Sequence, residues 1–371
     1  MWIGRLSEKI NTLSQVYSRR LVKMLRSNNV NILNRSALLP PGELIAQLPL
    51  SFGGASKVVE ARNTVNAILD GSCRKKMIIV GPCSIHDPAS ALEYAARLEK
   101  LSAKVSDKFL LIMRAYFEKP RTTIGWKGLI YDPDINGAYD IDKGLFIARR
   151  LLLQIVEKNL PVATEMLDPI IAQYIADTVS WAAIGARTTE SQTHRQLASG
   201  LSMAVGFKNA TDGSFQTAID AINTARAEHS FIGVMENGQV GIFRTRGNKY
   251  CHLVLRGGEH PNYEAEYIAF LKVAMRKANL RPNIVVDCSH ANSHKNYRLQ
   301  GKVFENVIDQ IVAGEEDVVG TMLESHLREG SQKIVPGKMV PDVSITDGCI
   351  GWEETESLIL SAYEKFKVAG I

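Results

Sequence analysis

Eight short apolar runs recur along the chain, and nearly every one ends at or just before a charged or metal-binding side chain. Met77–Val80 leads to Cys83, Leu110–Met113 ends at Arg114, and Val162–Thr164 ends at Glu165. Ala182–Ile184 leads to Arg187, Ala204–Phe207 ends at Lys208, and Leu253–Leu255 ends at Arg256. Ile284–Val286 ends at Asp287 with His290 just beyond, and Val318–Leu323 ends at Glu324. Helix-length segments separate most of these runs. Such alternation predicts a parallel sheet with right-handed crossovers. Eight repeats predict a (β/α)8 barrel, which gathers all its strand ends on one face. Side chains far apart in sequence then converge on one pocket rich in cations and metal ligands.

The 371 residues, 45% hydrophobic and 22% charged, have ordinary globular composition and ample material for a large core. A barrel of about 250 residues with additions accounts for the length. The net charge of +5 is spread among acidic residues without a long basic block, which argues against a nucleic-acid partner. The five cysteines (Cys73, Cys83, Cys251, Cys288 and Cys349) are odd in number and widely spaced. That pattern points to a reducing compartment, with a cytoplasmic location expected, rather than to a disulfide framework. No apolar run reaches the roughly 18 residues of a membrane span, so no membrane association is expected.

Residues 1–68 differ in texture and read as an N-terminal extension for assembly or regulation, followed by a catalytic barrel over 69–371. The first 25 residues read as an amphipathic helix, since Glu8 interrupts any signal-like core. Leu39-Pro40-Pro41-Gly42 and Ser51-Phe52-Gly53-Gly54 break the extension. Helices are expected at Ala55–Leu69, Ala89–Ser102, Asp142–Lys158, Ile170–Val179, Thr217–Ala227, Tyr263–Ala278, Val303–Val312 and Glu353–Lys367. Phe231–Val234 and Val240–Arg244, on either side of an Asn-Gly pair, predict a β-hairpin inserted at about 229–247.

Arg114, Arg187, Lys208 and Arg256 stand at or just past four strand ends. Any one of them could simply begin a solvated loop. Four in equivalent positions suit phosphate or carboxylate groups, to which Arg offers a planar fork and Lys a point charge. Lys119-Pro120-Arg121-Thr122-Thr123 adds two cations and two hydroxyls on a segment stiffened by proline. Together they predict a site for two phosphates and a carboxylate. Cys83, His290, Glu324 and Asp347 form a mixed soft and hard donor set that would tolerate several divalent ions. No local CxxC or HExxH spacing supports them, and each alone reads as a buried structural residue. His86, His194, Cys288 and His326 read as supporting or structural groups, and Trp126, Trp181 and Trp352 as packing.

The segments GPCSIHD, RAYFEKPRTTIGWKGLIYDP, ATEMLD, WAAIGARTTESQTHRQLASGL, VGFKNATDG, LRGGEHPNY, DCSHANS, VGTMLESHLREGSQ and SITDGCIGWE run in order through most of the chain, from about Arg35 to Glu354. In them the chain closely resembles the phenylalanine/tyrosine-type (type I alpha) 3-deoxy-D-arabino-heptulosonate 7-phosphate (DAHP) synthases. The resemblance implies a TIM barrel with an N-terminal extension and an inserted hairpin. It also implies condensation of phosphoenolpyruvate with erythrose 4-phosphate and release of phosphate, the opening step of the shikimate pathway. By the same resemblance a divalent ion such as Mn, Fe, Co or Zn falls to Cys83, His290, Glu324 and Asp347. Phosphoenolpyruvate falls to Arg114, Lys119, Arg187, Lys208 and Arg256, with Glu165 nearby, and erythrose 4-phosphate to Lys119, Arg121 and Thr122. Lys119 becomes the candidate proton donor.

The resemblance further implies feedback inhibition by an aromatic amino acid near the hairpin, at Gln173, Leu201, Ser202, Phe231, Gly233 and Phe243. Gly at 233, where serine accompanies phenylalanine sensitivity, points to tyrosine. A homodimer or tetramer is implied. One departure stands out: the family often has glycine where Ala210 stands, and a Cβ there would restrict a positive φ. Two alternatives are a 3-deoxy-octulosonate 8-phosphate synthase, which the KPRT segment and the hairpin disfavour, and a non-catalytic anion-binding barrel, which should show a broken ligand set.

Overall fold

The structure, a computed structural model, describes residues 27–371 except Pro336. The helix expected over the first 25 residues lies outside the described residues. The chain divides into two compact units, Met1–Leu38 and Leu39–Ile371. The second unit is a closed eight-stranded parallel barrel with helices between the strands.

The barrel strands are β1 (Lys76–Gly81), β2 (Phe109–Arg114), β3 (Val162–Glu165), β4 (Trp181–Ile184), β5 (Ala204–Lys208), β8 (Cys251–Leu255), β9 (Ile284–Asp287) and β10 (Val318–Glu324). Their order around the barrel is β1-β10-β9-β8-β5-β4-β3-β2. Almost every residue in them is buried, because helices cover the outside and side chains fill the inside. Both faces therefore select Val, Ile, Leu and Ala in continuous runs rather than in alternation. The remaining two strands, β6 (Ser230–Val234) and β7 (Val240–Arg244), pair antiparallel as a separate hairpin. Gly238, at φ 81°, follows Asn237 in its turn, and the Met235 N–H bonds Gln239 O at 2.8 Å. This is the turn the Asn-Gly pair predicted.

Ten α-helices are described: α1 (Pro41–Gln47), α2 (Phe52–Asp70), α3 (Pro88–Val105), α4 (Ile141–Glu157), α5 (Ala172–Ile175), α6 (Gln192–Gly200), α7 (Gln216–Ala225), α8 (Ala265–Lys277), α9 (Gln300–Val312) and α10 (Trp352–Ala369). Capping sets several starts. Asp87 accepts from Ser90 N at the head of α3 with Pro88 just inside, and Asp140 accepts from Lys143 N at the head of α4. Three expectations are corrected. Pro41 begins a helix rather than breaking one, since proline at the first helical position has no N–H to lose. Ser51 caps α2 by accepting from Gly54 N, so that helix starts three residues earlier than expected. The helix expected over Ile170–Val179 is only α5 followed by a 3-10 turn at Ala176–Thr178. The helix α6 had not been expected, because its polar QTHRQ opening carries little apolar periodicity.

The core fills the barrel with Met77, Ile79, Ile112, Ala163, Trp181, Ala183, Val254, Val285 and Met322. Val65, Ile68 and Leu69 of α2 join the same cluster and close the barrel floor. Burying each large aliphatic side chain there contributes about 1.5–3 kcal/mol. The floor is thereby sealed, and open space collects at the opposite end, where the strands finish. There Ala210 is not among the residues with positive φ. The expected backbone restriction does not arise; the left-handed position of that loop is taken by Gly213 at φ 98°.

Candidate active site

A cavity of about 690 Å³ opens at the carboxyl ends of the strands. Its lining includes Lys119, Arg121, Thr122, Glu165, Arg187, Lys208, Arg256, His290 and Asp347. Barrel closure thus brings together nine residues from the ends of seven different strands and the loops that follow them. Two more, Cys83 and Glu324, lie just beneath and are fully buried.

One ligand atom each from Cys83, Glu324 and Asp347 lies within 4.8 Å of the other two. Cys83 Sγ is 3.4 Å from Asp347 Oδ2. His290 stands at the edge of this group, its Nε2 3.9 Å from Glu324 Oε1 and its Nδ1 3.0 Å from Asp287 Oδ2. The residue adopts a left-handed backbone, φ 57°. The donor set fits a divalent ion: one soft sulfur and two carboxylates converge, with an imidazole beside them. Burial first, and then Glu324, push the Cys83 thiol up to about 12. Burial opposes the Glu324 charge, but His290, Arg114 and Lys119 together bring its carboxyl down to about 2.

The cations divide into two tiers. Arg114, at the end of β2, is 1% exposed and lies behind the cavity wall rather than on it. Its guanidinium is 3.1 Å from Glu324 and stacks on the Tyr116 ring at 3.8 Å. The Lys208 ammonium, also buried, sits 2.8 Å from Asp287. Lys119 Nζ reaches the Cys83 sulfur at 3.0 Å. Burial works to lower the Lys119 pKa, but Cys83, Glu324 and Asp347 overcome it and keep the group protonated. The outer tier is wetter. Arg121 folds back onto Trp126 O at 2.9 Å, and Arg187 touches Thr122 Oγ1 at 3.2 Å. The second of these contacts joins the KPRT segment to the β4 end.

Several contributors were not singled out from sequence. Ser289 Oγ donates to Glu324 Oε2 at 2.9 Å and so orients that carboxylate. Glu118 is buried behind Lys119, accepting from Asp168 N at 3.2 Å and from Tyr131 Oη at 3.4 Å. Burial first, then the nearby Asp168, raise the Glu118 carboxyl well above its usual range. It fastens the loop carrying Lys119 to the loop after β3. Gly185 lets the Glu165 carboxylate lie flat against the β4 end, since a Cβ there would stand 2.2 Å from Glu165 Oε1. The only sequence signal for these roles was adjacency to residues already chosen. Of the supporting histidines, His86 and His326 face each other with ring centroids 6.0 Å apart, and His194 is held by Ser191 and the Leu167 carbonyl. Cys288 is fully buried, and all five cysteines are free thiols.

The hairpin lies away from this cleft. Phe231 and Phe243 stack across it, centroids 5.7 Å apart, and a Cβ at Gly233 would meet the Phe243 ring at 2.9 Å. Ser199 Oγ, just ahead of Leu201 and Ser202, contacts Thr245 Oγ1 at 2.7 Å at the hairpin base. The hairpin turn accepts a hydrogen bond from Gly42 N at Glu236 O, 2.7 Å long. Helix α5, which carries Gln173, is tied to the residues before α1 by Tyr174 Oη donating to Leu39 O at 2.6 Å.

A parallel (β/α)8 barrel with thiol, imidazole, carboxylate and cationic groups around one cleft at its strand ends has the architecture of a barrel enzyme acting on anionic substrates. The comparisons narrow that class. The profile described as the DAHP synthetase I family matches residues 56–359. The Tyr-sensitive phospho-2-dehydro-3-deoxyheptonate aldolase of Escherichia coli (strain K12) is 49% identical over 339 residues, 91% of this chain and 95% of that protein. The Phe-sensitive aldolase of the same organism is 49% identical over 335 residues, covering 90% and 96%. The solved structure of phospho-2-dehydro-3-deoxyheptonate aldolase from Francisella tularensis SCHU S4 superposes with a TM-score of 0.89 at 43% identity, covering 91% of this chain and 99% of that one. The chain belongs to the DAHP synthetase I family and is an enzyme of that class. Among the described residues no helix is long and apolar enough to cross a membrane.

Proposed function

We propose that the protein condenses phosphoenolpyruvate with D-erythrose 4-phosphate and water, giving DAHP and inorganic phosphate, with the help of one divalent metal ion. The observation that carries this reading is the convergence of Cys83, Glu324 and Asp347 within 4.8 Å, beside cations from β2, β4, β5 and β8. The metal would be held by Cys83, His290, Glu324 and Asp347. When bound it would act as a Lewis acid toward the aldehyde oxygen.

The chain's own residues do the rest. Arg187, Lys208 and Arg256 neutralise the carboxylate and phosphate of phosphoenolpyruvate, and Arg121 and Thr122 hold the phosphate of the aldose. Two polyanions can then approach at reacting distance, which a site without these charges would forbid. Arg114 acts from behind, where its guanidinium fixes the Glu324 carboxylate and adds positive potential at the floor of the cleft. Lys119 stands protonated where the two substrates meet and donates its proton to the alkoxide formed from the aldehyde. A Lys119→Met variant that binds both substrates more weakly but turns over at the wild-type rate would remove Lys119 from that role.

Tyrosine is proposed as the feedback inhibitor, bound near the hairpin by Gln173, Leu201, Ser202, Phe231 and Phe243. The similar proteins carry Tyr-, Phe- and Trp-sensitive names at 48–50% identity, so overall similarity does not choose among them. Gly233 favours tyrosine on this reading, because it adds no side chain against the Phe243 ring, which a Cβ would meet at 2.9 Å, and so fills less of the space in which a phenolic hydroxyl would sit. A homodimer or tetramer and a cytoplasmic location complete the reading. The direct test is phosphate release from phosphoenolpyruvate in the purified protein. Release should require both erythrose 4-phosphate and a divalent metal; release supported equally well by arabinose 5-phosphate would point to the octulosonate synthase instead.

A further inference from the structure

The loop after β9 carries an unusual backbone. Three of the six residues from His290 to Lys295 are non-glycine residues in the left-handed region: His290 (φ 57°), His294 (φ 51°) and Lys295 (φ 59°). Side-chain-bearing residues enter that region at a cost, and usually singly. Adjacent left-handed residues persist only where the surroundings hold them, and such strain collects at functional sites. His290 uses its conformation to reach the candidate ligand group. Lys295 is tied to the same residue, its N–H donating to His290 O at 2.7 Å, and its side chain lines the cavity. Two carboxylates in the segments on either side already have partners. Asp287 pairs with Lys208 and His290, and Glu329 lies 3.9 Å from Arg298 and 3.4 Å from Tyr297 Oη. The strand order places β9 almost opposite β2 around the barrel mouth, with β10 and β1 between them on one side.

We propose that Lys295 is a further substrate-binding residue, contacting the terminal phosphate of the aldose phosphate from the side of the mouth opposite Arg121 and Thr122. This rests on the condensation proposed above. Lys295 is exposed and stands at the rim, whereas Lys208, buried beside Asp287, stands deep. A cation at the rim meets the outer, phosphorylated end of the aldose, and Lys295 lines the same cavity as Arg121 and Thr122. Arg121 is folded onto its own loop at Trp126 O, which leaves the outer phosphate in need of a second positive group.

The test uses Lys295→Gly, Lys295→Met and Lys295→Arg in the full-length, metal-loaded protein. Glycine removes the charge and relieves the left-handed backbone at once, so Lys295→Gly should unfold at an equal or higher urea concentration than wild type. Both uncharged variants should raise KM for erythrose 4-phosphate about tenfold, the effect of one charged hydrogen bond, with a much smaller change for phosphoenolpyruvate. Lys295→Arg should recover most of the loss. With unphosphorylated erythrose the variants and wild type should converge. An unchanged KM for erythrose 4-phosphate, or equal rises for both substrates, would overturn the proposal and leave Lys295 a solvated rim residue. If wild-type protein fails to condense the two substrates at all, the reading of the reaction has failed, and this assignment falls with it.

Discussion

Lys208 pairs with Asp287 and is proposed to bind phosphoenolpyruvate, and the two roles can be separated experimentally. Its ammonium sits 2.8 Å from Asp287 Oδ2, the two side chains being 5% and 0% exposed. At an effective dielectric constant of about 20 this separation corresponds to about 6 kcal/mol of attraction, most of it offset by the loss of hydration. Replacing Lys208 with Met removes the attraction but leaves the Asp287 carboxylate buried, and breaking a buried pair in this way costs about 3–5 kcal/mol. Asp287 keeps His290 at 3.0 Å, so the lower end, about 3 kcal/mol, is expected. The Asp287→Asn change added to Lys208→Met removes the stranded charge and should restore most of the lost stability. It cannot restore the cation offered to phosphoenolpyruvate, whose affinity should stay down by about a hundredfold, the typical loss for a desolvated charge contact. Urea midpoints and calorimetric titration with phosphoenolpyruvate measure the two effects independently. A single variant as stable as wild type would refute the buried pair, and a double variant with restored affinity would refute the binding role.

Other outcomes follow from the same geometry. Gly233→Ser should weaken inhibition by tyrosine at least tenfold, and strengthen that by phenylalanine, in dose–response assays, because the new side chain must displace the Phe243 ring that a Cβ would meet at 2.9 Å. Unchanged selectivity would release Gly233 from that role. His252 is fully buried, accepts from Trp181 Nε1 at 3.0 Å and directs Nδ1 at Tyr250 O, so its neutral form is the one that fits. Burial depresses its pKa to about 4. The unfolded state therefore takes up the proton first. The stability this residue confers is complete above about pH 6.5 and is lost as pH falls toward 4, by about 2 kcal/mol at pH 5. The loss of stability between pH 7.5 and pH 5 should shrink by that amount in His252→Gln; equal losses in both proteins would contradict the assignment.

The barrel was legible in the sequence because parallel strands covered on both faces leave continuous apolar runs, such as Met77–Val80 and Leu253–Leu255, each followed by the side chain it presents to the cleft. The hairpin was legible through Asn237-Gly238. What escaped depended on contacts rather than on patterns. Helix α6 begins with polar residues, and α5 gives way to a 3-10 turn where the apolar run continues. Arg114 was expected with the other strand-end cations; that it is buried against Glu324, 3.1 Å away, depends on a contact between strands distant in sequence. Nothing in the order of residues reveals that Ser289 orients Glu324, that Gly185 seats Glu165, or that Lys295 has a left-handed backbone and lines the cavity. Ala210 shows the opposite error, a strain expected from a family comparison that the backbone avoids.

The proposed reaction depends on a shared cation at the cleft. Titrating metal-free protein with Co(II) should show one ion bound per chain and a near-ultraviolet thiolate-to-metal absorption band that disappears in Cys83→Ala, with affinity weakened in His290→Ala and Asp347→Ala. A bound ion whose spectrum and affinity ignore all three substitutions would contradict it.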